Sequence, residues 1–217
     1  MKYRGRFILL FISLVSACVY LVIGNVQIIP FTIFTLIEFS FSWFIGGWYD
    51  KYRYLSYHDP LTGVYNRRYA YMHLERYFKI ANRRHERIGI LNIDIDNFKL
   101  INDTYGHSYG DFILKGLCRI IVENTRKEDI LVRWGGDEFL LFVIDKDDTS
   151  LENLTYQIND TIKTDLNNYG ESKKHEVTVS IGHSIYPDDG QNISDLLSIS
   201  DKRMYKVKSI TKEVSLL

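Results

Sequence analysis

Four carboxylates in two clusters are the residues most able to do chemistry. Asp94 and Asp96 close the strand-like run Leu91–Asp96, LNIDID. Asp137 and Glu138 follow the Gly135-Gly136 pair between two apolar, β-prone runs, Ile130–Trp134 and Glu138–Ile144. A glycine pair in that setting is a hairpin signal, because glycine supplies the positive φ that tight turns demand. An acidic hairpin tip alone is often just a solvated turn. A second acidic strand end shifts the balance towards a site for hard cations, since Mg²⁺ takes oxygen ligands, usually one or two carboxylates plus substrate phosphates. The pattern reads as a nucleotide-handling metal site.

The elements that must position these acids follow from periodicity. Asn66 caps a helix over Arg67–Glu86 with Met72, Leu74, Phe78 and Ala81 among its apolar positions. Arg87–Asp96 is the first strand, and Asn97–Asp103 a short helical or looped piece. Tyr105–Asp111 breaks the pattern, and a helix starting at Ser108 or Asp111 turns Phe112, Ile113, Leu117, Ile120 and Ile121 inward. The hairpin Ile130–Trp134 and Glu138–Ile144 comes next. The spacing of Leu151, Leu154, Ile158, Ile162 and Leu166 predicts a helix over Thr149–Asn168. Glu176–Tyr186 alternates as a fourth strand, and Ile193–Lys208 is a last helix. The order β-α-β-β-α-β predicts a ferredoxin-like, palm-type α+β domain with an antiparallel central sheet. In that topology strands one and three are antiparallel neighbours, which sets Asp94 beside Asp137 and Glu138.

The formal charge over 217 residues is zero, so the composition gives no support for a broad nucleic-acid-binding surface. Cys18 and Cys118 lie far apart in apolar surroundings and indicate neither a disulfide framework nor a zinc site. The N-terminal 50 residues read differently. Lys2, Arg4 and Arg6 precede an uncharged run, 7–24; a second run, 28–48, is broken only by Glu38; Asp50, Lys51 and Arg53 follow. Each run is near the roughly 20 residues that cross a bilayer core. A two-helix transmembrane hairpin over 1–50 is expected, with a linker over 51–58 and the soluble domain over 59–214. A cleaved signal peptide fits less well, because the first run is longer than a usual apolar core and lacks a clear small-x-small site. Positive residues at both ends place both ends, and the soluble domain, in the cytoplasm, as a multi-pass protein of the inner (cytoplasmic) membrane. Trp43, Trp48, Tyr49, Tyr52 and Tyr54 lie at or near the inner interface, in contact with membrane lipid. Glu38 falls mid-membrane, where an ionisable group is functional by default; pairing between subunits, response to a ligand and an idle protonated state all remain open.

From Tyr57 to Lys212 the chain resembles the GGDEF family of diguanylate cyclases. The resemblance rests on Asp59-Pro60-Leu61-Thr62-Gly63-Val64-Tyr65-Asn66-Arg67-Arg68, on Asp94-Ile95-Asp96-Asn97-Phe98-Lys99, and on Asn102-Asp103 with Gly106-His107 and Gly110-Asp111. It extends through Gly135-Gly136-Asp137-Glu138-Phe139, Ser180-Ile181-Gly182, and Asp201 with Met204-Tyr205 and Lys208. The resemblance implies condensation of two GTP into cyclic di-GMP with release of pyrophosphate, by two domains meeting face to face in a homodimer. It implies two Mg²⁺ (or Mn²⁺) ions per site, held by Asp94, the carbonyl of Ile95, and Asp137 or Glu138, with Glu138 near the attacking hydroxyl. Asn102 and Asp111 would read guanine. Gly136 would let the backbone approach the nucleotide. Lys208, Lys212 and the amides of Asn97 and Phe98 would hold the triphosphate.

Arg126-Lys127-Glu128-Asp129 stands at the offset of the family's inhibitory RxxD site, which implies product feedback through Arg126 and Asp129. Without the family, Lys208 and Lys212 would read as solvated charges, Asn102 as a cap, His107 as structural, and Met204 and Tyr205 as core. Thr211 before Lys212, and Trp134 in place of the commoner Tyr or Phe, depart from the family pattern. A catalytically silent, membrane-bound sensor of GTP or cyclic di-GMP with the same fold is the alternative.

Overall fold

The computed structural model describes residues 3–23, 27–144, 147–166 and 176–214, the side chains of Ile23 and 210–214 excepted. The chain divides into Met1–Tyr57 and His58–Leu217. In the first unit two helices, α1 (Arg4–Ile23) and α2 (Ile28–Tyr57), pack antiparallel. Both are long and apolar enough to cross a membrane. Small residues let them approach: a Cβ on Gly46 would come within 2.6 Å of Arg6 Cα. Ser13 and Ser42 share a hydroxyl–hydroxyl bond of 2.6 Å across the pair. Asp50 of α2 accepts from the amides of Gly5 and Arg6 at 2.7 and 3.3 Å, capping the free N–H groups of α1 from the neighbouring helix. The Arg6 guanidinium lies 4.6 Å from the centre of the Trp43 ring. Of the linker expected over 51–58, the part through Tyr57 is helical. Nothing after Gly47 breaks a helix until Pro60.

The second unit carries β1 (Tyr65–Asn66), α3 (Arg67–Arg84), β2 (Ile88–Ile95), α4 (Phe98–Tyr105), α5 (His107–Glu123), β3 (Ile130–Arg133), β4 (Glu138–Ile144) and α6 (Asp148–Thr161). A π-helical turn (Ile162–Leu166), β5 (Val179–Tyr186) and α7 (Ile193–Val214) complete it. The sheet order is β1-β3-β4-β2-β5. The four long strands are mutually antiparallel, as the ferredoxin-like order requires; β1 pairs parallel to β3 and makes the sheet mixed. Two residues carry no periodicity, which is why β1 is silent in the sequence.

Period-two alternation sorts the core into two layers. Leu91, Ile93 and Ile95 of β2 join Phe139, Leu141 and Val143 of β4 under α5 and α6. Ile88 and Ile90 join Leu140 and Phe142 under α3, with Leu196 of α7. Glycines admit the covering helices: a Cβ on Gly89 would meet the Leu151 methyls at 2.7 Å, and one on Gly182 would collide with the α7 backbone at Ser200 and Met204.

Three expected inward residues face out. Met72 is 58 % exposed, because α3 buries Ala70, Leu74 and Ala81, a stripe on its opposite side. Phe112 is 42 % exposed at the margin of the α5 stripe, and Tyr205 is 71 % exposed while its neighbour Met204 is buried.

Candidate functional site

The register of β2 on β4 pairs Asp94 with Glu138. Their side chains stand on the sheet face covered by α7, and Lys208 of α7 forms an ion pair with Asp94 Oδ1. Asp137 lies one residue before Glu138 in the turn, and its carbonyl accepts from the Ile95 amide at 3.4 Å. Topology therefore brings Asp94, Ile95, Asp137 and Glu138 to one end of the sheet.

The turn itself differs from the expectation. Neither Gly135 nor Gly136 takes a positive φ; among the described glycines only Gly63 and Gly106 do. The loop is longer than a two-residue hairpin turn, so it closes without mirror-image torsions. Trp134 and Gly135 amides both donate to the Glu138 carbonyl, at 2.8 and 3.2 Å. Gly135 instead lies under the tip of the Glu138 side chain: a Cβ there would lie 2.9 Å from Oε2. Around Gly136 a Cβ would meet nothing within 4 Å, so this position is open.

Arg133, which sequence reasoning passed over, holds the loop. Its Nη2 and Nε donate to the Gly136 carbonyl at 2.7 and 3.2 Å, and its Nη1 donates to Asp59 Oδ1 at 2.9 Å. The Thr62 amide and hydroxyl donate to the same Asp59 oxygen at 2.9 and 2.7 Å. Asp59 also begins the turn that Gly63 closes with φ 75°. An arginine at the last strand position, with an aspartate in a turn that pairs beside that strand, was the available signal. The Trp134 ring is pinned by the Arg67 guanidinium, 4.6 Å from its centre.

The electrostatics follow from this crowding. Burial, then the like charges of Asp137 and Asp96, push the Asp94 carboxyl above its usual range against the pull of Lys208. Burial and the charges of Asp94, Asp137 and Asp201 push Glu138 up as well. Lys208 loses hydration, yet the surrounding acids outweigh that and raise its pKa.

Asp96 is not part of this set. It is 8 % exposed, and its two oxygens accept from the Ser180 and Thr178 hydroxyls, each at 2.7 Å. Its amide donates to the Thr178 carbonyl at 3.0 Å. It fastens the end of β2 to the start of β5.

The remaining expected residues lie on α4, α5 and α7. Asn97 adopts a left-handed conformation (φ 55°, ψ 28°) and provides no side-chain cap, so the first amides of α4, beginning at Phe98, have no capping side chain. The corner at Gly106 (φ 83°) joins α4, which carries Asn102, to α5, which carries Asp111. Gly110, beside Asp111, is bare because the Asn102 amide oxygen occupies the place of its Cβ. Lys212 lies on α7 outside the residues whose side chains are described.

Arg126 and Asp129 stand apart from that group of acids, in the turn after α5. Asp129 accepts from the amides of Arg126 (2.8 Å) and Ile144 (3.3 Å). Both residues line a cavity of about 370 Å³ with an apolar floor that includes Tyr77, Ala81 and Ile88.

Among the described residues no three carboxylates, imidazoles or thiols converge as a ready-made metal cage. The donor set nevertheless suits a hard divalent ion that keeps few protein ligands. Asp94, Asp137 and Glu138, with the Ile95 carbonyl, offer oxygen only, as such an ion prefers.

A four-stranded antiparallel core, a Gly-Gly-Asp-Glu loop at one end of it and an acid facing that loop from the neighbouring strand define the GGDEF class of domain. The family model described as diguanylate cyclase, GGDEF domain, matches residues 56–213, and the chain belongs to this family. It is 35 % identical over 156 residues to the bifunctional diguanylate cyclase/cyclic di-GMP phosphodiesterase MucR of Pseudomonas aeruginosa, covering 71 % of this chain and 22 % of that protein. It is 35 % identical over 128 residues to diguanylate cyclase A of Treponema denticola, covering 59 % of this chain and 34 % of that one. The chain thus spans a minor part of these curated relatives. The crystal structure of a sensory box/GGDEF family protein from Caulobacter crescentus superposes with a TM-score of 0.63 at 28 % identity, covering 70 % of this chain and 98 % of that one.

Proposed function

We propose that this protein is a membrane-anchored diguanylate cyclase that condenses two GTP into cyclic di-GMP and pyrophosphate. The observation that carries the reading is the β2–β4 register, which sets Asp94 opposite Glu138 with Asp137 adjoining and Lys208 above. Asp94, Asp137 and the Ile95 carbonyl would hold Mg²⁺ or Mn²⁺ ions, two per site, which when bound polarise the phosphoryl group and offset the charge of the triphosphate. Lys208 and Lys212, with the amides at Asn97 and Phe98, orient the phosphates. Asn102 and Asp111 present acceptors to the guanine edge, where adenine lacks the matching donors. Glu138 stands beside the attacking 3′-hydroxyl. Gly136 leaves the approach clear.

A single domain binds one GTP, so turnover requires a second copy. The two apolar helices anchor the chain in the cytoplasmic membrane with the GGDEF domain on the cytoplasmic side, and Arg126 and Asp129 form a product-inhibition site.

The test is turnover by the full chain in nanodiscs with GTP and Mg²⁺, with product identified by mass. Wild type should make cyclic di-GMP and Asp111→Asn should lose preference for GTP over ATP. Arg126→Ala should relieve inhibition by added product. Wild type that binds GTP without forming product would instead establish the silent sensor.

A further inference from the structure

β5 is an edge of the sheet, paired with β2 alone. The Asp96 amide donates to the Thr178 carbonyl, and in the register that sets Asp94 opposite Ser180 this bond fixes the phase of the ladder. Hydrogen bonding alternates along an antiparallel pair, so Ser180, Gly182 and Ser184 turn their amides and carbonyls to β2, while Ile181, His183 and Ile185 turn theirs outward. The outward groups of the C-terminal half are taken. Asp189 accepts from the Ile185 amide at 2.8 Å, and its own amide donates to the Ile185 carbonyl at 2.7 Å. Arg203, paired with Asp189, donates to the His183 carbonyl at 2.8 Å. Before that point the edge is open: among the described residues the His183 amide and both backbone groups of Ile181 have no partner. An unpaired edge of this kind is a template for another strand.

The open edge faces a groove. A cavity of about 420 Å³ lies along it, walled by α6 on one side and α7 on the other. Side chains of an added strand would point alternately to the two walls. On the α6 wall Glu152 and Tyr156 stand one turn apart and both are exposed, Tyr156 by 71 %. Arg203 and His183 are already engaged by Asp189 and Asp148, whereas Glu152 has no basic partner among the described residues. A carboxylate beside an open tyrosine ring suits a lysine or arginine, by charge and by cation–π contact. On the α7 wall Val207, 41 % exposed, suits an apolar side chain. We propose that the open half of the β5 edge docks an extended peptide segment of another protein, in which basic residues facing α6 alternate with apolar residues facing α7.

The probe is a fluorescein-labelled heptapeptide of alternating lysine and valine, titrated by anisotropy against the full chain in phosphatidylcholine nanodiscs, with empty nanodiscs as the blank. Wild type should bind it saturably. N-methylation of the peptide amides keeps the charge and removes strand pairing, and should weaken binding at least about tenfold. Glu152→Lys should weaken it about tenfold and should take up instead an alternating glutamate–valine peptide that wild type rejects. That gain separates a lost contact from a misfolded variant. Absence of wild-type binding overturns the site; slow deuterium exchange at the Ile181 and His183 amides would then show that the chain itself or a second copy already covers the edge. Equal binding of the N-methylated peptide removes the strand pairing, equal binding by Glu152→Lys removes the charge recognition, and either overturns the proposal.

Discussion

Asp94, in β2, and Asp96, just past its end, sit two residues apart and have opposite fates. Both are buried. Asp96 has each oxygen bonded to a hydroxyl of the β5 segment, whereas Asp94 faces Glu138 and Asp137 and is relieved by Lys208 alone. The contrast extends across the domain. Asp59 is partly desolvated, but Thr62 and Arg133 outweigh that and hold its carboxyl below the usual range. Asp189, likewise against partial burial, is held low by Arg203 and the Ile185 amide. Asp94 and Glu138 shift the other way, because burial and like charge outrun the pull of Lys208. Carboxylates that hold the fold have their lone pairs committed to donors; those at the candidate site are crowded by one another.

The strongest attempt to break this contrast is Glu138→Gln. Turnover should fall by at least about 100-fold, while the urea midpoint should stay or rise, since a like charge beside Asp94 disappears. A large loss of stability would return Glu138 to the structural group. Asp96→Ala should do the reverse. Two hydroxyls lose their acceptor, one of them buried, and unfolding free energy should drop by about 2–4 kcal/mol in urea titration; an unchanged midpoint would erase the distinction from its partner two residues away.

Asp59→Asn sharpens the comparison through pH. The Asp59 pKa is lower folded than unfolded, so its stabilisation is complete above the ordinary carboxylate range and is lost as pH falls through the folded value. The variant should be about 1 kcal/mol less stable at pH 7, and the gap should close in unfolding curves taken towards pH 2. Arg203→Met should cost least, about 0.5 kcal/mol at pH 7, because the Arg203–Asp189 pair is partly exposed.

Much of this was legible beforehand, and the misses have physical reasons. Period two in β2 and β4 gave the faces, and the ferredoxin-like order gave the neighbours, so Asp94 and Glu138 could be placed together. The roles of Gly135 and Arg133 were not legible. A Gly-Gly pair signals conformational freedom, yet neither glycine takes a positive φ and Gly135 lies under the Glu138 carboxylate. Arg133 reaches back to Gly136 and across to Asp59, and the direction of a long side chain leaves no periodic trace. Met72 and Phe112 show the same limit: apolarity alone does not tell the centre of a helical stripe from its margin.

The sequence by itself determined the four longer strands, the apolar N-terminal runs and the family, because each rests on local pattern or contiguous motif. Tertiary structure alone decided which acid is spent and which is left. Lys208 reaches Asp94 across 114 positions of chain because Gly182 lets α7 lie directly on β5. Asp96 is satisfied because β5 brings Thr178 and Ser180 to it from more than 80 positions away. Hydrogen-bond supply depends on what packs nearby, and packing between distant segments is settled only when the sheet is assembled.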